Sequence, residues 1–375
     1  MNLTETFFTI QSSIRFSLMD TLKKIEVIFM IKEFNFLRAF ACLSIVLLHS
    51  TTQFGRLSGY PEGDLFHIVR IFLCFATPVF IVLSEIILAN RYNKNLPKGF
   101  FGKRIKWILF PFLFFAVVDA LVRNYFSPGV DVPLKIFNNI FMGSFIGWFI
   151  LIIFQFYILH YLVVRFNLSM KWLLPFSYVV MFSYLWAITL DLPMLGSNTT
   201  LLQLPFLAWF GYFTTGFVIG KHYNKIAAFM KKYWWSILLL TALSALIIVY
   251  NYFNGLTAVN SRRLDLFPFT ISFALMLLMI GRTIRHYSLI NLISGLSFGI
   301  YLLHWQIQRF VAEDLVQLFD NRYLQLGSIF AGTLIIAAVI IKIISLLPFG
   351  EFIIGKVKKR ERQPKEETLE KRLAS

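Results

Sequence analysis

Charge is scarce in this 375-residue chain: Asp, Glu, Lys and Arg make up 15% of it, against about 25% in ordinary soluble domains. So few ionised groups beside 58% hydrophobic and 18% aromatic residues cannot build a water-facing surface, which excludes a soluble globular fold. Cysteine is scarcer still, with Cys42 and Cys74 each inside an apolar run. There they act as small apolar side chains rather than a disulfide or metal pair, and no Cys or His spacing suits a metal. The sequence also lacks an internal repeat and any connection long enough for a separate soluble domain. Acidic residues number 19 against 36 Lys and Arg, leaving a formal charge of +17. That excess does not imply nucleic acid, because the basic residues sit in short segments between apolar runs and in the tail. The partner it implies is the lipid bilayer.

What is present is apolar sequence in membrane-spanning lengths. A spanning helix takes about 20 mostly apolar residues. The chain offers ten such stretches, near 34–54, 66–89, 105–124, 141–164, 172–190, 201–220, 234–253, 266–281, 288–310 and 324–348, the eighth being short. Lys and Arg orient them, since cytoplasmic loops carry the excess. With the N-terminus inside, 26 of these residues fall in inner segments and 8 at outer ends, leaving Arg38 and Lys342 within spans. Two inner termini require an even number of crossings, and ten satisfies this. The expected fold is all-α: a polytopic integral membrane protein of about ten transmembrane helices with both termini cytoplasmic. Residues 33–348 form its membrane domain. Residues 1–32 read as an N-terminal extension, either an interfacial helix or sequence ahead of a start at Met30, and residues 349–375 as a charged cytoplasmic tail.

Inside the first span stand Arg38 and His49. A charged side chain in hydrocarbon costs about 2.5–3.5 kcal/mol, so a membrane helix keeps one only with a partner or a task. Eleven steps of about 100° make three turns plus roughly 20°, which puts both residues on one face, about 16.5 Å apart along the axis. One helical face thus carries a cation toward the cytoplasm and an imidazole toward the outside. A histidine bonded to a neighbouring helix, with Arg38 reaching the inner headgroups, is the plainer reading.

Five motifs in order give the chain a family resemblance. They are the Arg38-x10-His49 spacing preceded by Glu33, Phe34 and Leu37; TPVFIVLSEIILANRY with Ser84; FFGKRIKWILFPF with Lys103, Arg104 and Pro111; GWFILIIFQFYILHY; and ISGLSFGIYLLHWQI with Ser297, Tyr301 and His304. The chain resembles the membrane acyltransferase family 3, the envelope O-acyltransferases, from about residue 33 to 348. It departs from the family pattern at Glu85, where a glycine usually follows the serine. The resemblance implies transfer of an acyl group, usually acetyl and sometimes succinyl, from cytoplasmic acyl-CoA to a hydroxyl of an envelope carbohydrate. Acyl-CoA would be a co-substrate, with no resident cofactor. Many members carry an extracellular esterase-like domain after the spans; this chain resembles the stand-alone type.

Such chemistry needs a base of near-neutral pKa, a hold on the anionic donor and a donor to the developing oxyanion. His49 fits a general base or transient acyl carrier, since neutral imidazole can take a hydroxyl proton. Arg38 would hold the acyl-CoA from the inner side. Glu85 lies at a similar depth and either pairs with Arg38 or faces the inner interface. Tyr301 and His304, three residues apart on one helical face, are candidate acceptor-binding residues, with an aromatic belt as the plainer reading. Lys103, Arg104 and Lys106 either anchor the inner face or capture CoA phosphates. Asp119 and Arg123 read as an intrahelical ion pair. His160, His222 and His286 show no partner and receive no role. Two rival functions remain: non-catalytic polysaccharide export, which intramembrane charge along a substrate path would also serve, and acylation of a small molecule or lipid.

Overall fold

The computed structural model describes residues 32–190, 201–284 and 287–356, and among them there is no strand. The expected extension before residue 32 and the tail from 357 lie outside the described residues, as does His286. Nine helical stretches among the described residues are long and apolar enough to cross a membrane. Inner and outer below refer to the faces assigned by the Lys and Arg distribution.

The first crossing is α1 (Lys32–Ser58). The second is divided into α2 (Asp64–Leu73) and α3 (Ala76–Arg91). Pro78 explains the division, because it has no N–H to donate to the carbonyl of Cys74. The third begins with α4 (Phe100–Arg104), widens into a π-helical turn (Ile105–Leu109) and continues as α5 (Phe110–Phe126). Pro111 near the start of α5 cannot join a regular i to i−4 ladder, and the wider turn accommodates it. The fourth combines α6 (Val132–Phe141), a 3-10 turn (Ile146–Trp148) and α7 (Phe149–Arg165); α8 (Met170–Thr189) is the fifth.

The sixth expected span, 201–220, differs from the others. It consists of two 3-10 turns (Leu201–Gln203 and Phe206–Trp209) and a twelve-residue helix, α9 (Phe210–Lys221). Twelve residues rise about 18 Å, short of a hydrocarbon core of about 30 Å. Pro205 caps the second 3-10 turn and lacks the N–H that a continuous helix would need there. The expected weak point was the eighth span, yet that segment forms the eighteen-residue α12 (Leu266–Thr283). Before it come α10 (Tyr223–Lys232) and α11 (Trp234–Phe253), and after it α13 (Ser288–Gln317) and α14 (Arg322–Leu346). A last short helix, α15 (Gly350–Ile354), buries Ile354. Packed structure therefore continues past 348, into the first residues assigned to the tail.

Helix direction can be read from side-by-side contacts. Gly216 backs onto Val82 and Glu85, and Gly220 onto Ile86 and Ala89. The Asn90 amide donates to the Gly220 carbonyl at 3.2 Å. Both chains advance together, so α9 runs parallel to α3. Two glycines four apart let the backbones approach this closely. A Cβ on Gly216 would lie 2.9 Å from the Val82 carbonyl oxygen. Even-numbered crossings share one direction, so a sixth crossing at α9 keeps the parity that the charge pattern requires.

Candidate active site

Helices α1 and α13 also run parallel, held by a ladder of polar contacts along their length. The Asn35 amide donates to Asn291 at 2.9 Å and Arg38 to the Ser294 hydroxyl at 3.3 Å. Cys42 lies 3.9 Å from the Ser297 carbonyl, and the Gln308 amide donates to the Ser50 hydroxyl at 2.9 Å. This register lays the motif of the first span against the motif of the ninth.

Arg38 meets only neutral acceptors, Ser294 and, at 3.5 Å, Asn35; no carboxylate of the described residues lies within 4 Å. Its side chain borders a cavity of about 250 Å³, which Arg104, Ser84, Tyr157, Ser297 and Tyr301 also line. The remaining lining is apolar, so two guanidinium groups share this space without an acid. Arg104 reaches it from the end of α4, just before the π turn. Its guanidinium lies over the rings of Phe100 and Tyr157, 4.9 and 5.1 Å from their centroids, a cation–π arrangement that fixes its direction.

Toward the outer side the same helix pair brings two imidazoles together. The rings of His49 and His304 lie 5.2 Å apart, and Trp305 stands edge-on to His49 at 5.1 Å. His304 Nδ1 is 3.0 Å from the Ile300 carbonyl. A carbonyl only accepts, so Nδ1 carries the proton and Nε2 presents a lone pair. That Nε2 is buried and has no hydrogen-bond partner among the described residues. Tyr301 bridges the two regions: it lines the cavity, and its ring is 6.1 Å from that of His304. Its hydroxyl donates to the carbonyl of Ile146, in the turn before α7.

The structure thus gathers Arg38, Arg104 and Tyr301 around one cavity, with His304 and His49 beyond it. Glu85 goes elsewhere. It is buried against His160, Oε1 to Nδ1 at 2.6 Å, and not against Arg38. His160 Nε2 donates to the Tyr92 carbonyl at 3.2 Å, so this histidine has a partner on both sides. Its pairing, across 75 positions, left no local signal in the sequence. Asp119 also departs from expectation. Its partners are Arg309 at 3.0 Å and Lys135 at 3.6 Å, with amides from Gln306 and Asn139 at 2.8 and 3.1 Å. Arg123, one turn on, gives way to this interhelical network because Asp119 faces the interior, where several donors converge.

The fold and site define a multi-pass membrane protein whose first and ninth crossings bring two histidines together near a cavity that two arginines line. A family model described as "Acyltransferase domain" matches residues 31–344, and the chain belongs to that family. It is a membrane acyltransferase of the cell membrane. The chain is 35% identical, over 73% of its length and 80% of the relative's, to "Putative membrane-bound acyltransferase YfiQ" of Bacillus subtilis (strain 168). It is 27% identical to "Probable poly-beta-1,6-N-acetyl-D-glucosamine export protein" of Staphylococcus aureus (strain MRSA252), over 72% of this chain and 81% of that one. The protein of the same name from Staphylococcus epidermidis is 28% identical over 72% and 79%. No solved structure matches the chain.

Proposed function

We propose that the protein transfers a short acyl group, acetyl as the first candidate, from acyl-CoA to a hydroxyl of a cell-envelope or extracellular carbohydrate. One observation carries this reading: an acid-free cavity with two guanidinium groups is lined by Tyr301, whose ring also stands against one of a pair of facing imidazoles. Arg38 and Arg104 hold the anionic donor from the inner side, and acyl-CoA serves as a co-substrate. Neutral His49 accepts the hydroxyl proton as the acceptor oxygen attacks the thioester carbonyl. A C–O bond forms, the C–S bond breaks, and the proton passes from His49 to the departing sulfur. His304, with its Nε2 lone pair free, accepts the N–H that His49 retains and steadies the imidazolium between the two transfers.

The carbohydrate acceptor draws support from the names of the staphylococcal relatives, which also raise a second reading, export of the glycan without acyl transfer. Purified protein incubated with labelled acetyl-CoA separates the two. Acceptor-dependent CoA release is the expected result, and glycan movement without CoA turnover would favour export. His49→Ala should lower CoA release by about 10²–10⁴-fold, the usual contribution of a general base. A correctly inserted variant that keeps the wild-type rate would rule out this role.

A further inference from the structure

The stripe on α1 does not end at His49. Arg56 follows seven positions later, nearly two turns, so Arg38, His49 and Arg56 occupy one helical face. Arg56 is exposed, and its guanidinium lies 5.2 Å from the centroid of Trp305, the ring that abuts His49. A second cation, Arg70 of α2, is buried beside the same turn of α1. Its Nε donates to the Thr51 hydroxyl at 3.2 Å and its Nη2 to the Thr52 hydroxyl at 3.3 Å, and it lies 4.5 Å from the Tyr60 ring centroid. Neither arginine has a carboxylate of the described residues within 4 Å, and the Trp305 ring stands between Arg56 and His49.

Burying a guanidinium among hydroxyls and a ring, with no counter-charge, costs free energy unless an anion joins it. Three outer cations that are buried or half-buried do have such a partner: Arg309 and Lys135 share Asp119, and Arg263 is bidentate to Asp265 at 2.9 and 2.6 Å. The missing counter-charge falls beside the imidazoles, where the acceptor hydroxyl must arrive.

Building on the acyl-transfer reading, we propose that the acceptor is an anionic saccharide, whose phosphate or carboxylate binds Arg56 and Arg70 while a nearby hydroxyl meets His49. Arg56 supplies the exposed first contact. Arg70, fixed by Thr51, Thr52 and Tyr60, supplies the preorganised one.

The test uses the full chain in lipid nanodiscs with three matched probes. These are a neutral disaccharide, the same disaccharide with one ring oxidised to a uronic acid, and the same disaccharide bearing a phosphate monoester. Binding is titrated without donor, and CoA release from acetyl-CoA is measured separately. The charged probes should bind about tenfold tighter than the neutral one, as charge-assisted hydrogen bonds to arginine allow. Arg56→Gln should erase that difference, and Arg56→Glu should weaken the charged probes further without changing the neutral one. Whichever anion binds tighter identifies the group the site accepts. Equal binding of all three, or a preference surviving in both Arg56→Gln and Arg70→Gln, would overturn the proposal. An intact anion preference without any CoA release would instead count against acyl transfer.

Discussion

Two sets of charges stand on the helices of this membrane protein, and they are treated in opposite ways. Around Asp119 every charge is answered: Arg309 and Lys135 converge on one carboxylate, and amides of Gln306 and Asn139 fill its remaining acceptor positions. Along the face of α1, Arg38 and Arg56 have no carboxylate of the described residues within reach, and the rings of His304 and Trp305 stand against His49. The first set joins α5, α6 and α13. In the second, Arg38 borders a cavity and donates only to neutral acceptors. In hydrocarbon, where an unanswered polar group is costly, the difference separates charges that join helices to one another from charges that the proposed acyl transfer would use.

The strongest way to break this comparison is to remove the answered carboxylate. Asp119→Ala leaves Arg309 and Lys135 facing each other across a buried gap. Breaking a buried ion pair from one side costs about 3–5 kcal/mol, with partial exposure of both cations favouring the lower end. A large fall in the thermal midpoint in detergent is expected, with CoA release per folded molecule retained. If stability holds and turnover collapses, Asp119 belongs with the working charges and the division fails.

Arg38→Gln is the converse. The substitution removes an unanswered cation, so the thermal midpoint should not fall. The KM for acyl-CoA should rise about tenfold, equivalent to about 1.4 kcal/mol, with kcat changed less. Steady-state kinetics with varied acyl-CoA reads this directly. An unchanged KM with a lowered melting point would make Arg38 a structural residue after all.

The same division marks what could be read from sequence. Arg38 and His49 declare themselves by spacing on one helix, and Tyr301 and His304 by their three-residue interval, because helical geometry alone fixes which of these share a face. The span pattern was equally legible, since length and hydropathy are local properties. The failures of side-chain pairing are all between helices. Asp119 had a ready partner four residues on, and the structure instead gave it residues from α6 and α13, where burial rewards convergence over proximity. His160 had no visible partner because Glu85 lies 75 positions away. The broken sixth segment was hidden for another reason: its apolar composition fits a span, and only the backbone consequence of Pro205 shortens the helix.

Glu85 and His160 offer the subtlest probe, because they are answered without fixed ionic charge. Nε2 of His160 donates to the Tyr92 carbonyl, so the 2.6 Å contact between Nδ1 and Oε1 holds a single proton between imidazole and carboxyl. Whichever group carries it, the pair has no net charge, unlike Asp119 with its two cations. Gln at position 85 can place an amide N–H where that proton lies, and His160 accepts it on Nδ1 while keeping its bond to Tyr92. Glu85→Gln should therefore cost less than about 1 kcal/mol, within the range of one neutral hydrogen bond exchanged for another. Glu85→Ala, which strands the buried Nδ1, should cost about 1–3 kcal/mol. Melting curves of the two variants compare them directly. Equal and large losses would mean that the pair is held as a true ion pair, and that it belongs with Asp119 among the charges that assemble the fold.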